Sequence, residues 1–427
     1  MTTPTPAAPP AHPEMFAALE VPNFRRYVSG QSLSLIGTWV ETVAQALLVL
    51  RLTHSGLVLG LTTAARYAPI LLLSPYAGLL VDRFAKRRVL LATQAGLSLV
   101  SAVLGALVLT GDVRLWQVVV LAVAFGLFSA VDNPARMAFV QEVVGRDMVR
   151  NAVSLNTTLV NVARVGGPTV AAVLVSTVGI GWCFVVNAIS FGFVIASLIS
   201  LDTRRLHPVP PVHRGPGQLR AGLRYAAGVP AIIRPLLMMA LVGTLTFEFE
   251  VSLPLLAEKT FHGTGTTYSW LIGALGAGAI AGGLYAARSA GTGVTRLIRA
   301  AIGYAIAVGL VAAAPTLATA IAACVLVGVA SVIFLTTGNA TIQLASEPEY
   351  RGRVTALWST ALVGSTAIGS PVIGGLSDLA SPRYALGLGA AACLAAAIVG
   401  GWRGRRPRHE IPPGPAGEQG PAQQPMN

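Results

Sequence analysis

Seven ionisable residues stand where the surrounding sequence is otherwise apolar: Glu41, Arg66, Asp132, Arg136, Arg164, Glu248 and Glu250. A charge at the centre of a membrane helix costs about 2.5–3.5 kcal/mol on insertion scales, so each needs a partner or a water-filled cavity. A carboxylate in a low-dielectric site binds a proton when it stands alone and releases it when a cation approaches. Reversible protonation coupled to a change of ion pairing is therefore the chemistry this set could perform.

Depth along a helix follows from the ~1.5 Å rise per residue. Glu41 precedes Arg51, at the end of its apolar stretch, by ten residues, and Arg66 follows the start of the next stretch by nine. Both lie ~15 Å below the same face, so they are expected to pair, either as a structural brace or as a gated pair facing a cavity. Asp132 and Arg164 also match in depth. Asp132 is the proton-site candidate, with bracing of Arg136 (i, i+4) or of Arg164 as the structural alternative. Glu248 and Glu250 are two residues apart, about 200° around a helix, and cannot share a face. One of them is expected to face a cavity, and Glu248, thirteen residues into its span, is favoured. Glu41, shifted by the repeat offset given below, falls between the two. The other glutamate is expected to bond a neighbouring helix.

The elements that position these residues are membrane spans. The chain of 427 residues is 54% hydrophobic and only 11% charged, with a mean hydropathy of +0.67. That is too little polar surface to cover a soluble domain. A span needs ~20 mostly apolar residues. Twelve stretches qualify: 27–51, 57–81, 89–110, 115–140, 152–177, 181–201, 235–257, 268–288, 296–314, 316–342, 354–376 and 384–402.

The net charge of +13 is not a nucleic-acid surface, because the cations fall between spans and no basic soluble domain remains. The even-numbered connections and the termini hold 23 Lys and Arg against four in the odd-numbered ones. The positive-inside rule then puts both termini and every even connection in the cytoplasm. The most densely basic of these runs Gly78 to Arg88, with Arg83, Lys86, Arg87 and Arg88 beside Asp82. Residues 1–24 and 403–427 read as disordered cytoplasmic tails, with no cleavable leader pattern at the start. Residues 202–234 read as a cytoplasmic linker. It ends in an amphipathic helix (Gln218 to Ala227) that lays Leu219, Leu223 and Ala226 on the membrane surface. The linker separates two six-helix bundles, 25–201 and 235–402. Cys183, Cys324 and Cys393 lie in apolar runs and read as core, with no disulfide framework.

The halves repeat. His54-Ser55-Gly56 matches His262-Gly263, Asn133-Pro134-Ala135 matches Asn339-Ala340-Thr341, and Gly167-Pro168 matches Ser370-Pro371. Glu142, Arg146 and Arg150 likewise match Glu347, Arg351 and Arg353. The offset drifts from 208 residues (His54 to His262) to 203 (Pro168 to Pro371). Pro168 and Pro371 are expected to bend symmetric helices. Gly278 and Gly282 form a GxxxG element for close helix approach. Two halves of like orientation place a substrate path at their interface.

The chain thereby resembles the major facilitator superfamily over residues 20–402. Gly78, Leu80, Asp82, Arg83, Lys86 and Arg87 match the signature of the loop between its second and third helices, with Ala85 in place of the usual second glycine. Arg164-Val165-Gly166-Gly167-Pro168 is similar to the fifth-helix signature of its exporters, with Ala171-Ala172 where a glycine pair usually follows. Asn23-Phe24-Arg25 before Gly30-Gln31, Asp132 to Arg136, and Glu349 to Val354 look like its subgroup of enterobactin-type siderophore and macrolide exporters.

The resemblance implies an all-α membrane protein, a major facilitator fold of twelve transmembrane helices in two parallel six-helix repeats. It implies a monomeric secondary transporter in the bacterial cytoplasmic membrane that exports a small organic molecule by proton antiport. Asp82 and Arg83 would gate the cytoplasmic side. The partners are a small-molecule substrate, protons and the lipid bilayer. No enzyme, cofactor or metal motif is present, so the driving force is an ion or substrate gradient. The alternatives are an importer or lysophospholipid-type transporter of the same fold, or a sensor on a transporter scaffold.

Overall fold

The computed structural model describes residues 17–145, 147–207, 218–288 and 291–402. Arg146, the Pro-rich part of the linker and most of both tails lie outside the described residues.

Among the described residues, twelve helical stretches are long and apolar enough to cross a membrane. The first six are single helices: α1 (Pro22–Thr53), α2 (Gly56–Arg83), α3 (Lys86–Thr110), α4 (Leu115–Val144), α5 (Val149–Thr177) and α6 (Ile180–Ile199). A short helix, α7 (Gln218–Gly228), precedes the second six. There the seventh span is broken into α8 (Pro230–Leu245) and α9 (Phe249–Leu255), which ends in a π turn, Leu256–Thr260. The eighth to tenth spans are α10 (Gly265–Arg288), α11 (Val294–Ala313) and α12 (Leu317–Ala345). The eleventh is broken into α13 (Arg351–Val363) and α14 (Thr366–Leu379), and α15 (Pro382–Gly401) closes the chain. The face with the 83–86, 144–149 and 345–351 turns carries the arginine-rich loops and is called the basic face. The opposite one is the far face.

The repeat signals have a local cause. Among the described residues, His54 and His262 are the non-glycine residues with positive φ, 52° and 50°. His54 closes α1 in the left-handed conformation, its N–H donating to the Leu50 carbonyl. His262 holds the same conformation after the seventh span. Each turns the chain at the far face, where a histidine takes the place usually given to glycine.

Glycines set the helix spacing. A Cβ on Gly126 of α4 would overlap the Arg66 carbonyl of α2. In the second half a Cβ on Gly278 or Gly328 would overlap backbone of the other helix of the α10/α12 pair. Small residues at such crossings let backbones approach closely, which replaces the hydrophobic drive that lipid removes. The halves meet along α2/α14 and α5/α10. Gly56 and Gly60 lie against Gly374 and Ser370, and Gly265 and Gly273 lie near Val175 and Thr169.

One expectation changes. The seventh span is not one helix, and neither is the eleventh. Their interruptions face each other, since a Cβ on Gly243 of α8 would sit 2.6 Å from Ser365 Oγ and 2.8 Å from the Ala361 carbonyl. Pro168 and Pro371 both lie inside helices, α5 and α14, and the break at Gly364–Ser365 is upstream of Pro371. The short helix α7 also contacts the turn between α12 and α13. Tyr225 stacks on Tyr350 (4.1 Å, 9°) and its hydroxyl accepts from the Glu347 N–H, while Gly222 rests on Arg353. Of the expected apolar face, Leu223 is exposed and Ala226 is buried against the protein.

Candidate functional site

The ionisable residues sort into those inside one half and those at the seam. Glu41 is buried inside the first half. It accepts from Ser101 Oγ and Asn187 Nδ2, each at 2.5 Å, and so ties α1 to α3 and α6. Asp132 is also interior to the first half. It accepts from Thr93 Oγ1 (2.7 Å) and Gln94 Nε2 (2.8 Å) of α3 and pairs with Arg136 Nε at 3.1 Å. Arg136 also donates to Asn133 Oδ1. Glu248 is buried at the break between α8 and α9, where it accepts from Ser370 Oγ of α14.

The seam holds Arg66, Arg164 and Glu250. Arg66 donates to Gln45 Oε1 of α1 at 2.8 Å and lies over the Phe125 ring at 4.1 Å. The neighbouring Tyr67 hydroxyl crosses to the second half and donates to Glu250 Oε1 at 3.0 Å. Arg164 lies 5.4 Å from the Trp39 ring, and its buried Nε has no hydrogen-bond partner among the described residues. Arg66, Gln45, Thr42, Thr62 and Glu250 surround a cavity of about 10 Å³, roughly the volume that one water needs.

One expected pairing is therefore corrected. Glu41 does not pair with Arg66. The first helix runs on to Thr53 before His54 ends it, so Glu41 sits deeper than expected, one turn below Gln45, and the arginine meets the amide. Asp132 braces Arg136 on its own helix, one of the two structural alternatives expected for it. Of the two neighbouring glutamates, Glu250 is at the seam and Glu248 bonds a neighbouring helix, the reverse of the favoured order. The break at Thr246–Glu248 resets the helical rotation that the spacing argument assumed.

At the far face, Asp378 near the end of α14 receives the start of α2. Ser55 Oγ donates to it at 2.8 Å, and the Gly56 and Leu57 N–H groups donate at 2.7 and 2.9 Å. Lys259 Nζ completes the group at 2.5 Å, and His54 Nδ1 lies 3.2 Å from Glu258 Oε1. A carboxylate at a helix N-terminus satisfies orphan N–H groups and complements the helix dipole. Here the donor helix and the acid belong to different halves. Asp378 and Lys259 escaped the sequence reading because an acid and a lysine near span ends look like loop charges.

At the basic face the loop cations bond within the first half. Lys86 pairs with Glu142 at 3.3 Å, and Arg87 donates to the Leu198 and Ile199 carbonyls. Arg83 is exposed. The side-chain surroundings of Gly78 and Asp82 lie outside the described part of the structure.

The Asp132 cluster yields a stability expectation. Asp132→Ala leaves Arg136 without its carboxylate and Thr93 and Gln94 without an acceptor. Charge-assisted hydrogen bonds contribute about 1.5–3 kcal/mol each. The variant is expected to lose about 2 kcal/mol, read as a lower melting temperature of the purified protein, with Asp132→Asn recovering part of it.

Comparison with known proteins agrees with this architecture. A family model described as "Transmembrane secretion effector" matches residues 14–411. The staphyloferrin A transporter of Staphylococcus aureus is 28% identical over 243 residues, 56% of this chain and 60% of that protein. The enterobactin exporter EntS of Shigella boydii is 26% identical over 367 residues, 84% of each chain. Among solved structures, a bacterial homologue of the human lysosomal transporter Spinster superposes with a TM-score of 0.65 at 15% identity, covering 91% of this chain and 95% of that one. A POT family transporter gives 0.68 at 11% identity, with coverages of 87% and 95%. At these identities the two structures carry the fold alone.

Proposed function

Because the chain belongs to the transmembrane secretion effector family of major facilitator transporters, we propose that it exports a siderophore or similar oxygen-rich small molecule by proton antiport, with the basic face in the cytoplasm. One observation carries the reading. A carboxylate of the second half, Glu250, is held by Tyr67 of the first half, beside the buried Arg66 and near the half-buried Arg164.

The arginines offer cationic and multidentate recognition for an anionic substrate. Glu250 is the proton carrier. Ionised, it holds Tyr67 and the arginine charges across the seam. Protonated, it loses that electrostatic attraction, and the arginines are free for substrate. The cross-half hydrogen bonds of Tyr67–Glu250, His54–Glu258 and Asp378 lie at mid-depth and at the far face. This arrangement supports a state closed to the outside. In the opposite state Asp82 and Arg83 would take over at the basic face.

The names of the relatives supply the probes. Everted membrane vesicles containing the protein are expected to accumulate labelled enterobactin or staphyloferrin A when energised. Accumulation only in right-side-out vesicles would reverse the direction and favour an importer. Binding without accumulation in either would favour a sensor.

A further inference from the structure

We infer that the groove between α10 and α11, opening sideways at the basic face, is a binding site for an anionic phospholipid. It is independent of the transported substrate. The two helices each pack along α12 and make few contacts with one another. They leave a cavity of about 660 Å³.

The polarity of this groove changes with depth. Arg296 and Arg299 belong to the opening turns of α11, ~3–8 Å from its basic end, and being i, i+3 they share a face. Thr295 and the Tyr285 ring stand beside them at the cavity wall. Deeper, the lining is Gly303 and Ile333, ~13–18 Å from the basic ends of their helices. Cations at headgroup level above an apolar slot fit a lipid phosphate above its acyl chain. Basic pockets between helices on the cytoplasmic side bind anionic headgroups in this way. Leu284 and Ile306, on the helices that form the groove, are 60% and 59% exposed, as lipid-facing surface should be. A small soluble anion would leave the apolar floor unused.

The test is lipid titration of the purified full-length protein, read by native mass spectrometry, with phosphatidylglycerol and phosphatidylcholine as probes. R296Q/R299Q is expected to weaken phosphatidylglycerol binding about tenfold, since each basic residue near a headgroup contributes on the order of a fewfold. Phosphatidylcholine binding should not change. G303W should abolish one bound lipid with both arginines intact, because a Cβ at Gly303 meets only open space and the indole would fill the slot. R25Q/R224Q, which removes two exposed basic-face charges outside the groove, should leave binding within about twofold. Equal loss in R25Q/R224Q, unchanged binding in either groove variant, or one-for-one displacement of the lipid by inorganic phosphate would overturn the assignment.

Discussion

Glu250→Gln is expected to cut proton-driven accumulation of substrate by about 100-fold, within the span of measured site-to-site couplings, while substrate exchange across the membrane persists. The amide still accepts a hydrogen bond from Tyr67, so the seam keeps its shape. What it loses is the titratable charge that senses Arg66 and Arg164. A carrier that cannot bind a proton cannot link the gradient to substrate, although it can still cycle with substrate bound. The two assays therefore separate coupling from binding. Loss of both in equal measure would make Glu250 a substrate ligand or a structural brace. Tyr67→Phe should behave more mildly, since it removes one hydrogen bond and leaves both charges.

Asp378→Ala is expected to open the far face. The carboxylate caps the start of α2 through Ser55 Oγ and the Gly56 and Leu57 N–H groups, and it also holds Lys259. Loss of an acidic N-cap costs about 0.5–2 kcal/mol. If that stabilisation exists only in the far-closed state, its loss shifts the balance between states about tenfold. Spin labels at positions 112 and 313, on far-face turns of the two halves, should report a longer distance in the variant. Asp378→Glu should restore part of the wild-type distribution. An unchanged distribution would show that glycine packing at Gly56, Gly60 and Gly374 seals the far face unaided.

The spans and the twofold repeat were legible because hydropathy and helix breakers follow from local chemistry. His54 and His262 show why. A residue that ends a helix in the left-handed conformation leaves a mark at a fixed offset in each half. The GxxxG pair was readable for the same reason, since the absence of a side chain is itself the contact.

Depth was legible only to within a turn. Glu41 and Gln45 share a face of α1 one turn apart, and Arg66 meets Gln45 while Glu41, one turn deeper, bonds Ser101 and Asn187. Counting from the end of an apolar stretch does not locate a helix end closely enough to choose between them. Rotation around the seventh span was lost at its break, which exchanged the surroundings expected for Glu248 and Glu250. Asp378 was invisible for a further reason. Two of its four partners are backbone N–H groups, which every sequence contains, and Ser55 and Lys259 lie more than a hundred residues away, so no local pattern announces it.

The most direct measurement of the central claim is substrate-triggered proton flux in everted vesicles that hold an acid interior. Adding enterobactin or staphyloferrin A to vesicles with the wild-type protein should dissipate the gradient, and vesicles with Glu250→Gln should keep it. Dissipation by both proteins would contradict Glu250 as the carrier. Transport of substrate with no proton movement in the wild type would contradict proton antiport itself.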